Sequence, residues 1–154
     1  MFKFDFLDNK NKIENKTIYV EEDYAFNTIP RPVSDIYLYV GYVGIGVNTD
    51  SNIVNGIDGY NHKGGWKKAI LAVPDEIRVG SLVLSNELES GSSYRIDKDN
   101  RWETYYDENK DVVCIGDSEN LFNSITVKIS INVMLTLRNN ELVSIWIEHP
   151  CKVQ

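Results

Sequence analysis

Ile125-Thr126-Val127-Lys128-Ile129-Ser130-Ile131-Asn132-Val133-Met134-Leu135-Thr136-Leu137 carries Ile, Val or Leu at every odd position and Thr, Lys, Ser, Asn or Met at every even one. Successive side chains of an extended chain point to opposite faces, so this alternation predicts a strand with one buried face and one wetter face. Arg138-Asn139-Asn140 reads as a three-residue hairpin loop, because Asn tolerates the left-handed backbone that closes one. Glu141 to Ile147 then returns as the partner strand. That loop sets Leu135 against Val143, Val133 against Ile145 and Ile131 against Ile147, all apolar and all on one face. A two-residue loop would set Leu135 against Ser144 and turn half of the apolar set toward water. In the favoured register Trp146 lies across from Asn132, on the other face, either covered by another element or presented at the surface.

Working outward, the composition points the same way. Val, Ile and Thr number 37 and aromatic residues 17, against only three alanines. β-branched and aromatic side chains fit a pleated surface and lose rotamer freedom in a helix. Asp35 to Val40, Trp66 to Val73, Arg78 to Leu84 and Arg101 to Tyr106 are further strand candidates. A short helical turn is expected after Asp117-Ser118, through Glu119, Leu121 and Phe122. Pro30 and Pro32 make the approach to Asp35 extended. Two stretches rich in turn residues, Asn48 to Gly65 and Asn86 to Arg101, read as long loops and as places for binding. The expected fold is mainly β, or a β-rich α+β arrangement: an antiparallel sheet or sandwich with a C-terminal hairpin and one or two short helices. At 154 residues it is expected to be a single globular domain spanning 1–154, large enough to bury a core without staples.

Asp5 and Asp8 interrupt the apolar start that a signal peptide needs, and the longest uncharged apolar run, Ile36 to Val47, is too short for a membrane helix. Cys114 and Cys151 are too few for a disulfide scaffold. Free thiols in the cytoplasm, with no membrane partner, are the expectation.

The chemistry-bearing motifs mostly reduce to structure. Gly41-Tyr42-Val43-Gly44-Ile45-Gly46 has the dinucleotide spacing reversed and no helix after it, so the glycines read as a strand bend or bulge. Asp97 to Glu108 places carboxylates as a calcium loop would, but Arg101 stands where an oxygen ligand is needed and Trp102 where the turn requires Gly. His62, His149, Cys114 and Cys151 match no compact zinc spacing, and Cys114 within Val112-Val113-Cys114-Ile115 reads as a buried strand residue. No metal site, catalytic set or cofactor is expected. His62, beside Tyr60, Asn61 and Lys63, occupies a place suited to a general base, yet nothing identifies the group it would serve; a small hydrolase using His62 is the least favoured reading. Glu103 and Asp107 could pair for glycoside hydrolysis, but among 23 acids such a pair arises by chance. The basic groups Lys10, Lys12 and Lys16 and Lys63, Lys67 and Lys68 are too sparse against a net charge of −7 for nucleic-acid binding. The second trio reads as a solvated strand edge, where lysines discourage unwanted pairing.

That charge is unevenly spread. Pro74 to Glu119 holds 12 acids and 5 bases and so carries the whole −7, the flanks summing to −1 and +1. A gathered acidic excess raises the encounter rate with a basic partner. Asp97, Asp99, Trp102, Glu103, Tyr105, Tyr106, Asp107, Glu108 and Asp111 are the expected contact face, acids for the partner's Lys and Arg, and rings as anchors. Aromatic rings on a β-sandwich also suit a glycan, so a carbohydrate-binding module is the alternative. Trp66 and Trp102 are expected to be core or half-core.

Gly65-Trp66, Trp102, Cys114-Ile115-Gly116-Asp117 and the closing Leu142-Val143-Ser144-Ile145-Trp146-Ile147-Glu148-His149-Pro150, in a small acidic β-rich domain, resemble bacterial immunity proteins that neutralise polymorphic or contact-dependent toxins. The resemblance implies a non-enzymatic inhibitor that plugs a cognate toxin protein, often a cationic nuclease, with surface acids mimicking phosphate.

Overall fold

The computed structural model describes residues 2–9, 14–97 and 102–151; Lys10, Lys12, Asp99 and Arg101 lie outside them. Among the described residues, fifteen strands form two mixed sheets. The first contains β1 (Phe4–Leu7), β2 (Lys16–Val20), β3 (Ala25–Ile29), β4 (Ile36–Val40), β5 (Val43–Asn48), β6 (Ile53–Tyr60), β9 (Ser81–Leu84) and β10 (Ser93–Arg95). The second contains β7 (Lys67–Lys68), β8 (Ile77–Val79), β11 (Thr104–Asp107), β12 (Val112–Gly116), β13 (Ile125–Lys128), β14 (Val133–Arg138) and β15 (Glu141–Glu148). The first sheet runs β1-β9-β6-β5-β4-β10, with β3 on β6 and β2 on β3; one of the two sheets curls into a half-barrel. The second runs β7-β11-β12-β15-β14-β13-β8. Pairs are antiparallel except β10 on β4, β7 on β11 and β8 on β13. Among the described residues the helical content is two 3-10 turns, Glu21–Asp23 and Lys63–Gly65. The mainly β architecture expected from the composition is what the chain adopts.

The main core lies between the sheets, where Leu38, Ile45, Ile57 and Leu82 of the first meet Val113, Leu135, Ile145 and Ile147 of the second. The opposite face of the second sheet buries Val112, Cys114, Met134 and Trp146 under Leu71, so Trp146 is covered rather than presented. Both faces of the central strands are therefore apolar, which is why β12 and β14 read as nearly continuous hydrophobic runs.

The alternating stretch folds back on itself. Ile125 to Leu137 is not one strand but the hairpin β13–β14, bent through Ile129 to Asn132. The following loop has two residues, Asn139 and Asn140, both left-handed (φ 53° and 64°), with Arg138 paired to Glu141. That shorter loop alone would have flipped the face. A bulge beyond Leu137, where Thr136 pairs with Ser144 and Leu137 with Leu142, adds Val143 to one side and restores the parity. Leu135 consequently meets Ile145, Val133 meets Ile147, and Trp146 lies across from Met134 rather than Asn132.

Other expectations are corrected too. The stretch Asn48 to Gly65 is mostly the eight-residue strand β6, since Ile53, Val54 and Ile57 are enough to seat it beside β5. Arg78 to Leu84 divides between sheets at Gly80, where a Cβ would stand 2.4 Å from the Leu7 carbonyl oxygen. Trp66 to Val73 contributes only β7, and Asn86 to Arg101 contains β10. After Asp117 the chain makes no helix; the Asp117 carboxylate accepts the N–H groups of Glu119 (3.1 Å) and Asn120 (2.9 Å) in a side-chain-closed turn. The glycines of β5 make room for neighbouring side chains: a Cβ on Gly44 would be 3.1 Å from the rings of both Tyr37 and Tyr39, and one on Gly46 would run into Ser34 and Asn55. A bulge between Gly46 and Val47 is present as well.

Candidate functional site

The acids expected to form one outward face divide into two groups. Asp97, Asp107 and Asp111 are buried. Asp97 accepts the Gly41 N–H at 2.7 Å and an Arg95 guanidinium N–H at 3.0 Å. Asp107 accepts the Leu71 N–H at 2.9 Å, and that hydrogen bond first, with those of Lys110 and Asn109 and the Lys110 charge, holds its carboxyl below the usual range. Asp111 accepts the Tyr106 hydroxyl at 2.9 Å. Burial first, and then that hydrogen bond, push the Tyr106 phenol up. These three carboxylates fasten the fold and do not project to a partner, because a buried carboxylate is stable only where donors surround it. Asp99 lies outside the described residues. Glu103 and Glu108 are exposed, Trp102, Tyr105 and Tyr106 half-buried. Tyr105 and Tyr106, adjacent on β11, point to opposite faces, Tyr105 toward the Trp146 cluster and Tyr106 onto Trp66 at a ring separation of 5.1 Å.

Asp107 gives a sign that can be worked out. Its depressed folded pKa means the carboxylate stabilises the fold above the ordinary carboxylate range, and the contribution is lost as pH falls through the depressed value. Asp107→Asn is therefore expected to flatten the acid limb of a stability-versus-pH curve. Urea titrations from neutral pH into the acid range read this directly, and an unaltered limb would contradict the assignment.

The exposed aromatic chemistry gathers elsewhere. Tyr24, Tyr42, Tyr60 and His62 form a continuous strip: Tyr24 stacks on His62 at 4.4 Å, Tyr60 meets Tyr24 at 6.5 Å, and Tyr42 meets Tyr60 at 6.1 Å. Their exposure is large for rings, 47%, 71% and 47% for Tyr24, Tyr42 and Tyr60. Each is mounted on braced backbone. Tyr42 follows left-handed Gly41, whose N–H is held by Asp97. Tyr24, itself left-handed, closes the acidic turn Glu21-Glu22-Asp23 by donating its N–H to the Glu21 carbonyl. Asn61 holds the middle: its N–H donates to the Tyr24 carbonyl, its amide donates to Thr104 at 2.9 Å, and its Oδ1 accepts the Trp66 indole N–H at 2.9 Å. Beneath, the Tyr19 hydroxyl accepts the Lys63 N–H and donates to the Asn61 carbonyl.

Beside the strip lies a hollow of about 180 Å³ walled by Tyr42, Tyr60, His62, Trp102 and Thr104, so Trp102 of the expected face does adjoin the exposed rings. Glu21, Glu22 and Asp23 flank Tyr24, all three exposed. Lys63 pairs with Glu21 at 3.1 Å over the rings of Trp66 and Tyr106; burial pulls its ammonium down, but the hydrogen bond to Glu21 together with the charges of Cys151, Glu21 and Tyr19 outweighs this and the net shift is upward. The sequence offered the signal in Glu21-Glu22-Asp23-Tyr24, an acid run ending in a ring, which lies outside the stretch with the largest net charge.

His62 is committed structurally. Its Nδ1 accepts the Gly64 N–H at 2.8 Å, and a neutral imidazole has only one acceptor nitrogen, so acting as a base would break that turn. Burial first, and then Asp117, push the Cys114 thiol up, as suits a packed strand residue. Among the described residues no three or more His, Cys, Asp or Glu side chains are grouped to hold a metal ion, and no helix is long and apolar enough to cross a membrane. In comparisons with known proteins, the chain matches no family model and no curated sequence.

Proposed function

We propose that this chain is a non-enzymatic protein-binding domain, an immunity protein that neutralises a cognate, basic bacterial toxin in the cytoplasm. The observation that carries the reading is the exposed Tyr24–Tyr42–Tyr60–His62 strip beside the acidic turn Glu21-Glu22-Asp23. Tyrosine presents a large contact area at low conformational cost, and interface hot spots favour it. A mount of hydrogen-bonded turns reduces what must be ordered on binding. Acids at the rim attract Lys and Arg, whose cations also stack on exposed ring faces. On this reading the contact face is the strip, with Trp102 and the neighbouring Glu103 of the expected face beside it, while the buried Asp97, Asp107 and Asp111 take no part.

The test uses the product of the adjacent open reading frame. Co-production should protect the host from that product, and the two should form a complex. Glu21→Lys, Glu22→Lys and Asp23→Lys together should slow association about ten-fold at low salt and flatten its salt dependence. Tyr60→Ala should weaken the complex by about 2 kcal/mol, roughly thirty-fold. A complex unchanged by both variants would remove the contact from this strip, and the absence of both binding and protection would overturn the immunity reading.

The hollow walled by Tyr42, Tyr60 and Trp102 favours a second reading, stacking of a sugar ring. Trp102 emission during titration with a glycan panel separates the two: a saturable shift supports the sugar, and silence supports the protein partner.

A further inference from the structure

The second sheet ends differently on its two sides. One edge, β7, is Lys67-Lys68, both exposed, a pair of charges that opposes the addition of another strand. The other edge, β8, carries Ile77 and Val79 at 37% and 40% exposure and, among the described residues, pairs with β13 alone, on its inner side. Its one cation is turned aside, since the Arg78 guanidinium lies over the Phe6 ring at 5.7 Å. Open space flanks the edge. A hollow of about 440 Å³ is lined by Asp75, Glu76, Ile77, Leu121 and Ile125 among others, and a second of about 410 Å³ by Phe6, Asp8, Arg78 and Val79.

Leu121 and Ser124, which line the first hollow, bracket an exposed aromatic residue in the chain. Phe122 is 77% exposed, on a loop that is fastened rather than loose. Asp117 accepts two backbone N–H groups at its start, and the Arg138 guanidinium donates to the carbonyls of Asn120 and Phe122. A ring held outward in this way meets a partner with little further ordering. The carboxylates of Asp8, Asp75 and Glu76 set the sign of the trough.

We infer that the outer edge of β8 takes up an extended segment of a partner protein, rich in alternating basic and apolar residues, as an eighth strand of this sheet. Main-chain hydrogen bonds to Ile77–Val79 supply the affinity, and side chains falling alternately on the two faces meet Phe122 and the acids. The surface is separate from the aromatic strip and does not depend on the immunity reading.

A short synthetic peptide alternating Lys and Val is titrated into the isotope-labelled chain, and backbone amide shifts and exchange rates are followed. Saturable shifts with slowed exchange at 77–79, and shifts at 122–126, are expected. Asp75→Lys with Glu76→Lys, and separately Phe122→Ala, should each weaken binding about ten-fold while leaving the far spectrum unchanged. The same peptide with Glu for Lys, or with Pro for alternate Val, should not bind, because the first reverses the charge and the second removes N–H donors. The inference is overturned by absent or unsaturable shifts, by equal binding of either control peptide, or by shifts centred on Tyr24, Tyr60 and His62. It is also overturned if sedimentation shows the chain alone dimerising through 77–79, since a second copy would then be the occupant.

Discussion

Trp146→Ala should lower the unfolding free energy by about 3–5 kcal/mol, the range for emptying a fully buried large aromatic site. Trp146 is wholly enclosed, set between its cross-strand partners Cys114 and Met134 and capped by Leu71, with its indole N–H donated to Ser144 at 3.1 Å. Truncation removes the transfer energy of the ring, leaves a cavity and takes a partner from the Ser144 hydroxyl. The sheet on one side is hydrogen-bonded throughout and cannot close the gap. Only the covering segment around Leu71 can move inward, and it is tied to Asp107 by the Leu71 N–H. A urea titration should show the midpoint falling with the slope unchanged, and amide exchange at Leu71 should quicken. Trp146→Phe should cost much less, because most of the buried area remains. A loss near 1 kcal/mol for the alanine variant would mean that the segment collapses onto the sheet and that Trp146 is not its anchor.

How this residue came to be covered was only half legible beforehand. The odd–even alternation from Ile125 marks the side facing the main core, where Val127, Ile129, Val133, Leu135 and Leu137 are buried. The other face is not the wetter one expected: Thr126, Ser130, Asn132, Met134 and Thr136 are buried too, and the odd Ile131, expected inside against Ile147, is 44% exposed. Alternation cannot say where an extended chain turns, since a tight bend preserves parity; the bend at Ile129 to Asn132 was invisible for that reason. Apolar matching across the hairpin led to a three-residue loop, because a bulge and a two-residue loop give the same facing as a longer loop without a bulge. Strand β6 was hidden by its composition: Asn55, Gly56, Asp58 and Gly59 read as turn residues, and only the neighbouring strand makes them sheet.

The site was less legible still. Sequence counting locates charge along the chain but not its depth. Asp97, Asp107 and Asp111 stand where backbone N–H groups or a phenol need an acceptor, so the densest acidic stretch spends three carboxylates inside. Tyr24 and Tyr42 come from two separate turns, Tyr60 and His62 from the end of β6 and the residues after it, and they meet only because β3 pairs with the end of β6 and β6 with β5. Local spacing carries no trace of such a meeting.

The seam between the sheets gives the other large effect. β2 pairs with β3 on one side, and its opposite edge faces the bend before β14 and the end of the chain. There the Asn15 carbonyl accepts the Ile131 N–H at 3.0 Å, and the Tyr19 N–H donates to the Pro150 carbonyl at 3.0 Å. Between them the Asn132 amide acts as a piece of strand. Its Oδ1 accepts the Thr17 N–H at 2.8 Å, and its Nδ2 donates to the carbonyls of Thr17 at 2.7 Å and Glu148 at 2.9 Å. Three backbone groups in a buried place depend on this one side chain. Asn132→Leu fills the volume but orphans all three, and at about 1 kcal/mol or more for each the expected loss is about 3 kcal/mol at least. Asn132→Ala should cost less if water enters the space, because water can satisfy some of the orphaned groups. Asn132→Asp keeps the acceptor for Thr17 and places a carboxylate against two carbonyl oxygens, so it should be destabilising at neutral pH and partly rescued as acid protonates it. Denaturant midpoints for the three variants, with exchange at the Thr17 amide, check the order. A leucine variant as stable as the parent would show that β2 is held by Ile131 and Pro150 alone, and that the amide closes no gap between the sheets.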